Sequence, residues 1–208
     1  MNDVRKKELI GMCDNDYNLK NSHNTFQGRI AAWGEPYRIR WCATLMKPGG
    51  TVLNVGGGDG YTTHWFKERG FKVTTVDCSP TVQEMFKVNL PDDKFILAFA
   101  EELDKHVTEQ YDAVVCNQVI EHVDDVDLVL KQMMARVKPG GLMLVTMPRG
   151  KEFLDPLHQH FWYVYNDVVS QFEKIVDYFK IFSIAKHMIG DRKLVWGVVC
   201  AKEDEKND

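Results

Sequence analysis

The sequence is short of the features that mark several protein classes. Its five cysteines, Cys13, Cys42, Cys78, Cys116 and Cys200, are odd in number and widely scattered. No C-x-x-C or other metal-knuckle spacing occurs among them, so neither a disulfide framework nor a zinc knuckle is indicated. Cys116 and Cys200 sit in apolar runs, where a free thiol behaves as a small hydrophobe. Long hydrophobic runs are missing as well. No stretch approaches a membrane span, and the polar start Met1-Asn-Asp-Val-Arg-Lys-Lys-Glu8 lacks the apolar core of a signal peptide. Cysteine usage and this start together point to the cytoplasm. There is no block of Lys/Arg either. With 26 basic and 30 acidic residues the net charge is −4, which gives no electrostatic reason for strong binding to a nucleic-acid backbone. Small molecules are the favoured partners.

What is present reads as one domain with room for a small appendage. The chain has 208 residues, 44% of them hydrophobic, and neither repeats nor low-complexity linkers divide it. Residues 1–30 are polar and weakly periodic, and the tail from Lys202 is almost entirely charged and expected to fray. Between them, five short apolar runs cover 51–55, 72–76, 95–99, 113–116 and 142–146, each of strand length and bounded by turn residues. Segments 61–69, 81–89 and 126–137 have helical length and apolar spacings of three and four. Strand-then-helix order implies a parallel sheet covered on both faces. After Pro148 the order changes. A helix is expected over 166–179 with Asn166 as its cap, then strands 180–185 and 194–201 joined by a turn around Gly190-Asp191. Strands joined so closely should be antiparallel. The fold expected is a single doubly wound, mostly parallel seven-stranded sheet with helices on both faces and an antiparallel C-terminal strand pair.

The most informative stretch is Val52-Leu-Asn-Val-Gly56-Gly57-Gly58-Asp59-Gly60, a buried strand running into a glycine loop with a helix behind it. Glycines let the backbone turn sharply and admit a ligand where a Cβ would stand, and the helix start offers free N–H groups and a positive dipole end. The dinucleotide fingerprint G-x-G-x-x-G would need a third glycine where Tyr61 stands; the loop reads G-x-G-x-G through Gly56, Gly58 and Gly60. Asp77 closes the second strand seventeen positions beyond Gly60, where a carboxylate can accept hydrogen bonds from both hydroxyls of a ribose. A tight turn without a ligand, and a turn residue ahead of Ser79-Pro80, are the plainer readings of the two features. Together they point to a nucleoside.

Here the sequence resembles the class I S-adenosylmethionine-dependent methyltransferases, over roughly 51–148 with a looser echo to Lys202. The resemblance implies that Gly56, Gly58 and Gly60 border the methionine part of the cofactor. It implies that Asp77 with Cys78 holds the ribose and that Ala100 with Glu101 flanks the adenine. Tyr111-Asp-Ala-Val-Val-Cys-Asn-Gln-Val-Ile-Glu-His-Val123 looks like the family's fourth motif, at the sulfonium end of the cofactor, which brings in Asn117. Lys138-Pro139-Gly140-Gly141 is similar to the turn that launches the fifth strand. Two positions depart from the family pattern. Asn54 stands where an acid is common, and its amide can still order the loop. Phe99 stands where Asp often begins the adenine segment, and its ring can pack on the purine.

Methyl transfer from a sulfonium is an in-line displacement, so alignment is the main task, and a hydroxyl or ammonium acceptor also needs a base. Asn117, Gln118, Glu121 and His122 lie just beyond the fourth strand, on the sheet edge where α/β proteins bind ligands. His122 is the first candidate base, with Glu121 orienting it or replacing it. A helix-stabilising role is the plainer alternative for the pair. Related quinone-biosynthetic and small-RNA-modifying enzymes use a divalent ion near a similar Glu-His pair, but amides at 117 and 118 are weak ligands for hard cations. No metal is therefore assigned, although the His158-x-His160 pair offers further donors. His160 is also a candidate polar contact in an acceptor pocket built from Leu157-His-Gln-His-Phe-Trp-Tyr-Val-Tyr165, whose aromatics suit a planar acceptor or else pack a helix onto the sheet.

Residues 1–46 are expected to form a helical cap or lid, with a helix over 36–45 and Tyr17, Trp33 or Arg38 touching cofactor or acceptor. Residues 47–202 would form the Rossmann-like domain and 203–208 a disordered tail. The activity implied is methyl transfer to oxygen, nitrogen or carbon of a small molecule, with S-adenosyl-L-methionine as donor and S-adenosyl-L-homocysteine as product. The N-P-P-Y motif of DNA-base methylation is absent, since Asn117-Gln-Val-Ile occupies its place. A cofactor-binding protein without turnover and a nicotinamide-dependent oxidoreductase are the other two readings.

Overall fold

A computed structural model describes residues 2–23, 25–150, 157–188 and 191–203. Seven strands form one sheet: β1 (Thr51–Val55), β2 (Lys72–Asp77), β3 (Lys94–Leu97), β4 (Tyr111–Asn117), β5 (Val137–Pro148), β6 (Phe179–Met188) and β7 (Asp191–Ala201). Their order is β3-β2-β1-β4-β5-β7-β6, the first five parallel and β7 antiparallel to both neighbours. The order reverses between β1 and β4. Two crossovers leave there in opposite directions, which opens a crevice at the C-terminal ends of the strands.

The helices are α1 (Asp3–His23), α2 (Phe26–Trp33), α3 (Tyr37–Leu45), α4 (Tyr61–Glu68), α5 (Pro80–Asn89), α6 (Leu103–His106), α7 (Val126–Ala135) and α8 (Tyr165–Phe172). Capping explains several of the starts. The Ser79 hydroxyl accepts from the Val82 N–H with Pro80 at the first helical position, and the Asp125 carboxylate accepts from the Leu128 N–H. One face of the sheet packs Val52, Val73, Val115 and Leu144 against Ile39 and Cys42 of α3 and Phe66 of α4. The other packs Leu53, Val114, Cys116, Met143, Val145 and Val198 against α6, α7 and α8. Burying each such side chain contributes about 1.5–3 kcal/mol. Cys42, Cys116 and Cys200 are buried and free, and burial raises all three thiols, that of Cys200 to about 12.

The sequence places some boundaries differently. The third strand stops at Leu97, and Ala100–Glu102 is one turn of 3₁₀ helix. β5 begins at Val137, so the segment 138–141 is an irregularity inside the strand, where the register against β4 shifts between Tyr111 and Ala113. The eighth helix ends at Phe172. Asn166 lies within its first turn, and the Asp167 carboxylate accepts from the Tyr163 and Val164 N–H groups instead. Residues 189, 190 and 204–208, hence Gly190 of the late turn and most of the charged tail, lie outside the described residues.

Candidate functional site

The glycine loop sits at the crevice. Gly56, Gly58 and Gly60 have φ of 69°, 62° and 98°, in the left-handed region that glycine enters without strain. A Cβ on Gly56 would lie 2.2 Å from Cγ2 of Val119, so here the backbone also needs the missing side chain. Asn54 donates through Nδ2 to the hydroxyls of Thr62 and Thr63 at 2.9 and 3.1 Å, and the Thr62 hydroxyl donates to the Gly57 carbonyl at 3.2 Å. An amide thus ties β1 to the start of α4 without adding a charge.

Asp77 is buried at the end of β2. Its carboxylate accepts from the Gly58 N–H at 3.0 Å and the Ser79 N–H at 3.2 Å. Burial pushes this carboxyl above its ordinary range, and the backbone donors only partly oppose the rise. Each oxygen keeps a lone pair for a further donor. Cys78 beside it is half-buried.

At the exit of β3, Ala100 is half-buried and Glu101 is buried. The Glu101 carboxylate accepts from the Asp124 N–H at 3.0 Å, so this side chain braces the loop after β4. Burial raises its carboxyl as well. The Phe99 ring carries the Lys6 ammonium 5.0 Å from its centroid, and Lys6 also pairs with Glu102 at 3.0 Å.

Past β4 the chain makes an unusual turn. Gln118 has φ 58°, the one non-glycine residue in the left-handed region among those described, and its N–H is held by the Thr146 carbonyl at 2.9 Å. The conformation costs on the order of 1 kcal/mol, and such cost gathers at functional sites. It sets Val119 against Gly56 and turns Glu121 into the interior, 1% exposed. The Asn117 side-chain oxygen accepts from the Thr146 hydroxyl at 2.9 Å, while Asn117 Nδ2 and Gln118 Nε2 are buried without a partner among the described residues.

Glu121, His122 and His158 come together, with one ligand-type atom of each within 4.8 Å of the others. The two imidazoles meet edge to face with centroids 4.7 Å apart. The Glu121 carbonyl accepts from the N–H groups of Gln159 and His160, which brings 157–160 against the β4 loop. His160 points elsewhere, with Nε2 2.8 Å from the Val123 carbonyl. The two histidines of the H-x-H pair therefore diverge, and His158 rather than His160 joins the Glu-His pair. The donor set of one carboxylate and two imidazoles suits a transition-series divalent ion better than a hard cation.

The neighbouring aromatics divide. Trp162 is 3% exposed and its carbonyl accepts from the Trp196 indole at 2.9 Å, which is core packing. Phe161 flanks His158 with ring centroids 6.2 Å apart. Tyr165 is 55% exposed, so it does not pack the helix onto the sheet.

The N-terminal helices reach this edge through charges that sequence reasoning missed. Arg29 of α2 forms a buried ion pair with Asp59 of the glycine loop. Asp14 of α1 accepts from the Ser79 hydroxyl at 2.6 Å, and Arg5 donates to the carbonyls of His122 and Leu157. These partners lie 30 to 152 positions apart, and no local pattern announces them. Arg38 stacks over Tyr37 at 5.7 Å. The side chains of Tyr17 and Trp33 lie outside the described part of the structure.

Known proteins agree with this architecture. A ubiquinone biosynthesis O-methyltransferase of Xanthomonas axonopodis pv. citri is 28% identical over 120 residues, covering 55% of this chain and 50% of its own. One from Pseudomonas entomophila is 32% identical over 111 residues, covering 51% and 48%. The chain spans about half the length of the curated relatives it matches. Among solved structures, an S-adenosylmethionine-dependent methyltransferase from Archaeoglobus fulgidus superposes with a TM-score of 0.66 at 15% identity, over 80% of this chain and 92% of its own. The YcgJ protein of Bacillus subtilis gives 0.66 at 12%, over 81% and 99%. Residues 35–188 match the family described as methyltransferase domain, a span that holds the glycine loop, Asp77 and the β4 loop. The chain belongs to that family, the class I S-adenosylmethionine-dependent methyltransferases.

Proposed function

We propose that this protein transfers a methyl group from S-adenosylmethionine to a hydroxyl of a small-molecule acceptor. The observation that carries the proposal is the pairing, on one sheet edge, of a glycine loop and buried ribose-type carboxylate with the Glu121–His122–His158 cluster. The O-methyltransferase names of the relatives support oxygen over nitrogen or carbon.

When bound, the cofactor supplies an electrophilic methyl on a sulfonium. Gly56, Gly58 and Gly60 keep that part of the crevice free of side chains, where the methionine part of the cofactor would lie, and the Asp77 carboxylate would accept from the ribose hydroxyls beside Cys78. Ala100 and Asn117 border the same crevice, and Glu101 holds the wall formed by the β4 loop. His122 takes the acceptor proton, Glu121 orients or stabilises the imidazolium that results, and His158 fixes the ring edge to face. His160 holds the loop through the Val123 carbonyl. Residues 1–46 act as a cap: α1 and α2 fasten to the loops after β1, β2 and β4, and residues 47–202 carry the chemistry.

Calorimetry with S-adenosylmethionine and S-adenosylhomocysteine tests the reading. Micromolar affinity that collapses in Asp77→Ala is expected, followed by turnover in a screen beginning with phenols. No binding by the wild type sinks the proposal. Cofactor binding with no turnover on any acceptor would identify a binding protein instead.

The cluster's composition favours a second reading alongside the first. Glu121, His122 and His158 have the chemistry to hold a divalent ion, which would acidify an acceptor hydroxyl. Turnover untouched by a chelator would rule this out.

A further inference from the structure

Arg5 lies on α1, more than a hundred residues from the loops it touches. Its Nη2 donates to the carbonyl of His122 at 3.1 Å and to that of Leu157 at 3.1 Å. Its Nε is 3.7 Å from the Asp124 carboxylate and Nη1 is 3.3 Å from Glu8, with the side chain 12% exposed. The two carbonyls are those of one clustered histidine and of the residue preceding the other. The ties between these loops described above hold the backbone at Glu121, Val123, Gln159 and His160. Arg5 adds a hold on the carbonyl of His122 itself and on the peptide that leads into His158, one beside each of the paired imidazoles. A guanidinium presents its donors in a fixed planar fork, which lets one side chain bracket two carbonyls and a carboxylate.

We infer that Arg5 is a positioning residue that fixes the His122 and His158 imidazoles relative to each other, so that the N-terminal helix is part of the candidate centre. This rests on the proposed role of Glu121, His122 and His158. Proton transfer and methyl alignment are sensitive to misplacement of about 1 Å. A bracket on the backbone of both histidines acts on that scale. Among the described residues Arg5 makes no hydrogen bond or ion pair with the glycine loop or Asp77, so its effect on rate separates from any effect on cofactor affinity.

The test is hydrogen–deuterium exchange on the full chain with S-adenosylhomocysteine, for wild type, Arg5→Ala and Arg5→Lys, together with turnover. In Arg5→Ala the amides of 119–124 and 157–162 should exchange about tenfold faster or more, while β1 and β2 keep their protection. S-adenosylhomocysteine affinity should stay within about twofold and kcat should fall about 10- to 100-fold, with partial recovery on adding methylguanidine. Arg5→Lys keeps the charge and loses the fork, so it should show a smaller change in the same peptides. If Arg5→Ala loses protection everywhere, Arg5→Lys decides: faster exchange confined to the two loops supports the inference, and a native pattern overturns it. Unchanged exchange at both loops in Arg5→Ala overturns it whatever the rate. A wild type that binds no cofactor would overturn the proposed function, while the exchange comparison in the unliganded chain would still judge Arg5.

Discussion

At the scale of single residues, the site depends on groups held in states they would not adopt alone. Asp77 is a buried carboxylate without a cation partner among the described residues, and burial raises its pKa. A raised carboxyl keeps its proton to higher pH, and a protonated Asp77 loses acceptor capacity for the ribose hydroxyls. Cofactor affinity should therefore fall on acidification, starting above the ordinary aspartate value of about 3.9. Calorimetry from pH 7 to pH 4 checks this; Asp77→Asn should bind weakly throughout, without that pH dependence. Gly56 is constrained twice, by φ of 69° and by Val119. Gly56→Ala should destabilise by about 1–3 kcal/mol or more and abolish cofactor binding. Adding Val119→Ala should recover only the steric share, which thermal melts of the two variants would separate. Glycine spacing and the acid after the second strand were legible in the sequence because both are local. The φ of Gln118 was not, since glutamine carries no sign that the Thr146 carbonyl and the packing of Val119 force it into a left-handed turn.

At the scale of elements, charges staple neighbouring pieces together. Asp112 of β4 accepts from the Thr51 N–H and hydroxyl of β1, both at 2.7 Å, and pairs with Lys138 of β5 at 3.1 Å. The Thr51 donors, with Lys138, hold its carboxyl down at about 2. A depressed carboxylate stabilises the fold at pH above its unfolded value near 3.9, and that contribution fades as pH falls toward 2. Acid unfolding should show this midpoint shift, and Asp112→Asn should lose it. The side chain is 43% exposed, so screening keeps the effect small. The Arg29–Asp59 pair is different, with the side chains 3% and 1% exposed. Arg29→Ala or Asp59→Ala should cost about 3–5 kcal/mol by stranding a buried charge. The double replacement should cost clearly less than the sum, a double-mutant cycle in chemical denaturation being the measurement. Helix and strand boundaries were legible to within a few residues where caps and apolar runs are local. The eighth helix ends short of the expected 179 because Ile175 and Val176, which continue its apolar spacing past Phe172, pack against the core from non-helical backbone.

At the scale of the whole molecule, α1 and α2 are fastened across the C-terminal edge of the sheet by Arg5, Lys6, Asp14 and Arg29. Deleting residues 1–30 removes every one of these ties. The remaining domain should keep its sheet, because among the described residues neither hydrophobic cluster draws on that segment. Far-ultraviolet dichroism should show the fold retained, and turnover should be lost. Full activity in the truncated chain would contradict the cap.

The sequence by itself determined the strand–helix alternation, the antiparallel close of the sheet, the glycine loop and the acid that follows it, and hence the family. Each is written in residues close together along the chain, where periodicity, turn chemistry and spacing act. The tertiary structure decided which distant side chains meet. It chose His158 over His160 beside Glu121 and His122, because two backbone hydrogen bonds to the Glu121 carbonyl set how 157–160 lies against the β4 loop. It also brought Arg5 and Arg29 onto that edge, through contacts that exist only once the sheet has set the ends of its strands side by side.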